Sequence, residues 1–223
     1  MRSIVIEAPK RIRAGEWTTP KPGYGEVLVS TRAAVAVQAS RRGDIKSGEY
    51  MLVLGCGPIG LAIIEVVKAK GAQVAATDIR EERLETAAFL GAEVLPAGAT
   101  LLRSVLEQTK GEGAVVVVEA TGNERVMEQS VELVACGGRI VIVGLVKEGS
   151  KVALPGLDFT RKEMTIVGSR ASTRCFPEAL ELLASGAIKY PQIGTVVDFW
   201  EGPRVIREMD EEPGKYHKVV LQR

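Results

Sequence analysis

The sequence predicts an α/β protein built on a doubly wound parallel sheet of six strands, with helices on both faces. Three observations carry that expectation. Between residues 51 and 169 short apolar runs alternate with segments of helical period. The runs are apolar on both sides, as strands covered by helices on two faces must be. Glycines stand where helices should stop, at Gly71, Gly91 and Gly137.

Taken in order, residues 3–8 and 26–34 alternate as extended strands, and the turn-rich "TTPKPGYGE" between them predicts a hairpin or meander. From Val35 the pattern becomes helical, with no Gly, Pro or Asn to redirect the chain. "MLVL" is then a buried strand, 58–70 a helix, "QVAATD" a strand and 81–90 a helix. "AEVL" follows as a short strand, 101–109 as a helix and the β-branched "AVVVVEA" as a central strand. Helix 124–134 leads to "RIVIVGL", a loop containing Pro155, the sixth strand "MTIVGS" and helix 177–185. The tail reads as strand 193–199, helix 202–209 and strand 218–223. Neither flank has strands enough to be stable alone.

The 29 basic and 28 acidic residues nearly balance, leaving no basic stripe for a nucleic acid. Cys56, Cys136 and Cys175 form no CxxC pair, which fits a reducing cytoplasm better than a disulfide framework. The N-terminus has no signal-peptide core, and no apolar run is long enough for a bilayer. A cytoplasmic protein with no membrane or nucleic-acid partner is expected.

The sharpest chemistry lies in "VLGCGPIGLAI". Gly55, Gly57 and Gly60 form G-x-G-x-x-G directly after a strand and before a helix, the fingerprint of a dinucleotide-binding Rossmann domain. The first glycine permits the tight turn, the second lets a pyrophosphate approach the backbone, and the third lets the helix pack on the strand. Pro58 and Ile59 open that helix, whose free amides and dipole favour phosphate. Asp78 ends the next strand, where a carboxylate accepts hydrogen bonds from the adenosine ribose. Its charge favours NAD over NADP. Arg83 is a candidate contact, and with Arg80 could instead face a 2′-phosphate or be a solvated charge on a Glu-rich helix. The remaining strand ends offer Ala120, Thr121 and Gly122, then Val143, Gly144 and Leu145, then Ser169 and Arg170. Ligands bind at such carboxyl ends, although any one of these residues could equally be ordinary loop.

No catalytic apparatus is evident. Tyr24, Tyr50, Tyr190 and Tyr216 are not followed by lysine at the fourth position, so the Tyr-x-x-x-Lys chemistry of short-chain reductases is excluded. His217, the single histidine, reads better as a residue at a strand start than as a base.

"IKSGEYMLVLGCGPIGLAIIEVVKAKGAQVAATD", "VVVVEATGN", "GGRIVIVGL" and "FTRKEMTIVGSR" resemble the coenzyme domain of the zinc-dependent medium-chain alcohol dehydrogenases, nearest to the branch of sorbitol, threonine and L-galactonate dehydrogenases. The opening "APKRIRAGEWTTPKPGYGEVLVSTRAA" and the closing "KVVL" are similar to the family's first and last strands. The resemblance implies a dinucleotide-binding domain at 35–188, with 1–34 and 189–223 as a remnant of a GroES-like β catalytic domain. It implies oxidation of a secondary alcohol on a small polyol or sugar acid, with hydride transfer to NAD. In such enzymes zinc is a Lewis acid holding the alkoxide on three protein ligands. The family's Gly-x-Cys-Gly-x-Asp and Gly-His-Glu segments are absent between Ala34 and Val35, so no catalytic or metal-binding residue is assigned. A shortened, catalytically impaired dehydrogenase is the expectation. The alternative is an NAD-sensing or dimerisation module without turnover. The resemblance further implies a homodimer pairing the sixth strand, from Met164 to Gly168, with its copy.

Overall fold

The computed structural model describes residues 2–8, 11–16, 31–188, 195–212, 215–216 and 219–222. The chain divides into two units, one of Ser30–Lys189 and one of Met1–Val29 with Tyr190–Arg223. In the smaller unit β1 (Arg2–Ala8) pairs antiparallel with β2 (Arg11–Glu16), with a register shift between Ile6 and Ala8.

The larger unit opens with α1 (Thr31–Arg42), then runs β3 (Tyr50–Leu54), α2 (Pro58–Ala69), β4 (Gln73–Thr77), α3 (Glu81–Phe89) and β5 (Glu93–Val94). It continues through α4 (Leu101–Gln108), β6 (Ala114–Glu119), α5 (Glu124–Leu133), β7 (Val134–Ile142), α6 (Gly156–Lys162), β8 (Thr165–Gly168) and α7 (Phe176–Ala184). The smaller unit resumes with β9 (Thr195–Asp198), α8 (Gly202–Glu211) and β10 (Val219–Gln222), and β10 lies parallel to β9.

The six strands of the larger unit lie in the order β5-β4-β3-β6-β7-β8, all parallel. The chain therefore starts in the middle, winds outward through β4 and β5, crosses back to β6, and winds outward again. The reversal between β3 and β6 is the point at which such sheets open a crevice at their carboxyl ends.

Alternation along the strands divides the core. Leu52, Leu54, Val117 and Ile140 pack with Leu101 and Val105 of α4 and Val131 and Leu133 of α5. Met51 and Val53 point the other way and are equally buried. Lys162 ties α6 to the end of α5 by donating from Nζ to the carbonyls of Val131, Glu132 and Val134, at 2.7 to 3.0 Å. On the opposite layer Glu178 of α7 takes Arg41 of α1 and Lys70, each at 2.7 Å.

Four sequence expectations are corrected. Residues 31–34 are the first turn of α1 and not the end of a strand, because Ala33, Ala36, Val37 and Ser40 bury one helical face. The strand expected over 26–30 lies outside the described residues. Among the described residues β1 pairs with β2, a strand that the arginines and glutamate of "RIRAGE" disguise as a loop. β7 begins at Val134, not Arg139, with a register shift against β6 around its Cys136-Gly137-Gly138 stretch. The loop containing Pro155 carries helix α6.

Candidate functional site

The glycine turn joins β3 to α2 at the reversal point. Gly55 adopts φ +98, and a Cβ there would lie 2.7 Å from Thr121 Cγ2. At Gly60 a Cβ would come within 1.9 Å of the Gly55 carbonyl oxygen. The fold itself requires both glycines. Gly57 is different: its φ is −68, and nothing lies within 4 Å of where a Cβ would stand. The chain makes no demand for glycine at that position, and the open space is what an approaching phosphate needs. No side chain caps α2, and Pro58 occupies its first turn. By contrast, α5 is capped by Asn123, whose Oδ1 accepts the amides of Arg125 and Val126. The amides of α2 have no such competitor.

Asp78 is 9% exposed beside this turn. Its Oδ2 accepts the Cys56 N–H at 2.7 Å, its Oδ1 accepts the Arg80 N–H at 3.0 Å, and Arg83 Nη1 stands 3.4 Å from Oδ2. Arg83 thus reaches the carboxylate from α3. Two charge-assisted bonds to backbone amides hold the carboxylate in place. Ile79, next in the chain, is 92% exposed, an apolar side chain set in solvent at the crevice. Sequence reasoning missed it; the signal was an isoleucine directly after the strand-ending aspartate.

Beyond the reversal, Ala120 N–H donates to the Leu54 carbonyl, so the loop after β6 continues the sheet ladder. The turns after β6 and β7 meet through glycines: a Cβ at Gly144 would lie 2.1 Å from Gly122 N, and one at Gly122 would lie 2.5 Å from the Leu145 carbonyl oxygen. Val143 is half-buried and Leu145 exposed. After β8, Ser169 is buried and Arg170 exposed, and the loop is tied to α1 by Arg42 Nε on the Gly168 carbonyl. The predicted residues thus fall on consecutive carboxyl ends of the sheet. Thr77 Oγ1, Glu119 Oε2 and Ser169 Oγ, at the ends of β4, β6 and β8, are buried and have no hydrogen-bond partner among the described residues. Glu119, fully buried, was also missed as a site residue, although a carboxylate closing the run "AVVVV" was a visible signal.

The donor set for a metal is poor. Among the described residues no three His, Cys, Asp or Glu side chains gather where they could hold an ion. Burial, and then the Asp78 carboxylate, push the Cys56 thiol up to about 12, so it is a neutral thiol at neutral pH. Cys136 is exposed and Cys175 buried, and both are free. His217 lies outside the described residues. These residues do not fit a zinc site. No described helix is long and apolar enough to cross a membrane.

A family model described as zinc-binding dehydrogenase matches residues 58–185, from the start of α2 to just past the end of α7. The chain belongs to the zinc-binding dehydrogenase family. This family member is 38% identical to L-galactonate-5-dehydrogenase of Escherichia coli K12 over 70% of its own length and 46% of the relative. Among solved structures, an alcohol dehydrogenase of Escherichia coli CFT073 complexed with NADH superposes with a TM-score of 0.78 at 27% identity, covering 86% of this chain and 58% of that one. A zinc-binding dehydrogenase of Sinorhizobium meliloti 1021 bound to NADP gives a TM-score of 0.74 at 25% identity, covering 79% and 53%. The chain spans about half the length of the curated relatives it matches.

Proposed function

We propose that this chain binds NAD across the β3/β6 crevice, as the coenzyme-binding part of a dehydrogenase that oxidises a secondary alcohol on a small polyol or sugar acid. The observation that carries the proposal is the Gly55-to-Gly60 turn, with open space at Gly57 and an uncapped helix behind it, locked to the Asp78 carboxylate by the Cys56 N–H. The pyrophosphate would rest on the amides of Ile59 and Gly60 and on the positive end of α2. Asp78 would accept the adenosine ribose hydroxyls, and the adenine would lie against Ile79. A fixed carboxylate beside the ribose repels a 2′-phosphate, which supports NAD over NADP. Ala120 to Gly122, Val143 to Leu145, and Ser169 with Arg170 would line the nicotinamide side.

When bound, the cofactor supplies the hydride acceptor; the chain's own residues bind and orient it. Family zinc would hold and acidify the substrate alcohol. Because the described residues do not fit that metal, we propose that the chain alone has little or no turnover. A chain with the same crevice and no turnover would act as an NAD-sensing or dimerisation module, a reading supported by the exposed edge of β8, which is paired only with β7 among the described strands. The flanks are read as the remnant of the catalytic β domain, and the cytoplasm as the compartment.

Calorimetric titration with NAD, on a preparation whose zinc content is measured by elemental analysis, tests the proposal. Saturable binding without zinc is expected. Stoichiometric zinc, or no NAD binding, would overturn it.

A further inference from the structure

Glu119 stands where an apolar side chain would extend "AVVVV", on a central strand and fully buried. Placing a carboxylate there is costly unless hydrogen bonds offset the loss of water. Its Oε1 accepts the Thr121 N–H at 2.7 Å, the Gly122 N–H at 3.0 Å and the Thr121 hydroxyl. Its backbone carbonyl accepts the Val143 N–H at 2.9 Å and the Gly144 N–H at 3.0 Å. One residue therefore holds the loops after both β6 and β7. The two loops leave no slack: a Cβ at Gly144 would lie 2.5 Å from Glu119 Oε2 and 2.1 Å from Gly122 N.

Position gives this arrangement its meaning. A dinucleotide straddles the reversal point of a doubly wound sheet with one nucleotide over each half. Asp78 belongs to the β3/β4 half, so the loops of β6 and β7 lie under the other nucleotide. We propose that Glu119 is a positioning residue for the second, nicotinamide-bearing nucleotide, acting only through the 120–122 and 143–144 loops that it anchors. The inference rests on the nucleotide-site reading above. It predicts a selective defect: the adenine half keeps its own contacts, and the nicotinamide half loses its cradle.

The free Oε2 makes the test sharp. In Glu119→Gln an amide that keeps its oxygen on the three donors must put an NH2 group where Oε2 now sits, buried and without a hydrogen-bond partner among the described residues. The full chain and the variant are titrated with NADH by fluorescence and with ADP by calorimetry. The expected result is a rise of about tenfold or more in the NADH dissociation constant, with ADP binding unchanged to within about twofold. Thr121→Val removes the hydroxyl that donates to Glu119 Oε1 and accepts the Asn123 N–H at 2.9 Å, leaves the two backbone donors to Oε1 in place, and should show a smaller split in the same direction, which keeps the test open if Glu119→Gln does not fold. Equal weakening of both ligands, or of neither, would overturn the inference. A wild-type chain that binds neither ligand would overturn the nucleotide-site reading itself, and this inference with it.

Discussion

The glycines of the fingerprint divide by what each one answers to. Gly60 answers to the fold, since a Cβ there meets the Gly55 carbonyl at 1.9 Å. Gly57 answers to no protein atom, since its surroundings are open, and on the proposed reading the ligand takes that space. Gly60→Ala should therefore lower stability by about 1–3 kcal/mol through overpacking. Gly57→Ala should leave the melting temperature unchanged and raise the NAD dissociation constant by about tenfold or more. Differential scanning calorimetry paired with NAD titration separates the two. A melting point that falls equally in both variants would show that the turn is a packing device only. The motif alone could not make this distinction, because the spacing of three glycines is the same whether a protein atom or a phosphate occupies the space.

At the scale of the element, β3 is flanked by two acids that burial keeps protonated. Tyr50, at its start, is raised to about 12 by burial and then by the Glu93 carboxylate, and Cys56, just past its end, is pushed to about 12 by burial and then by Asp78. In the unfolded chain they ionise near 10.0 and 9.0. Above pH 9 the unfolded state thus holds fewer protons than the native one, so stability falls as pH rises through that window toward 12. Denaturation midpoints measured between about pH 8 and about pH 11 should drop, and the slope should flatten in Cys56→Ala and Tyr50→Phe. A flat profile in the wild type would contradict the assignment. The elements themselves were legible to different degrees. The six parallel strands could be read because Leu52, Val53, Val117 and Ile140 need no alternation when both faces are covered. β2 and α6 could not: Arg11, Arg13 and Glu16 hide the strand, and Gly156 with Asp158 reads as loop. Residues 31–34 were misread because "TRAAVAV" satisfies both a period of two and a helical period, and tertiary burial decided for the helix. In the site, Gly55, Gly57, Gly60 and Asp78 were legible from spacing, whereas Glu119 and Ile79 matter through contacts and exposure that spacing does not encode.

For the whole molecule, assembly turns on β8, the terminal strand of the six-stranded sheet. Thr165 and Gly168 are exposed along it, and an edge paired on one side only among the described strands invites pairing with another strand. Sedimentation velocity at micromolar concentration should report a species of twice 23.9 kDa. A single species at 23.9 kDa would remove the dimer. Spanning about half the length of the curated relatives it matches, the chain carries the whole six-stranded parallel sheet. On the proposed NAD reading, the bond from Cys56 N–H to Asp78 Oδ2 also constrains any protein engineer who would retune this scaffold toward the phosphorylated cofactor. Replacing Asp78 with a small neutral residue would relieve the charge but would release the phosphate turn as well. A successful redesign must first supply a substitute acceptor for that amide, and only then recruit Arg80 or Arg83 to the new phosphate.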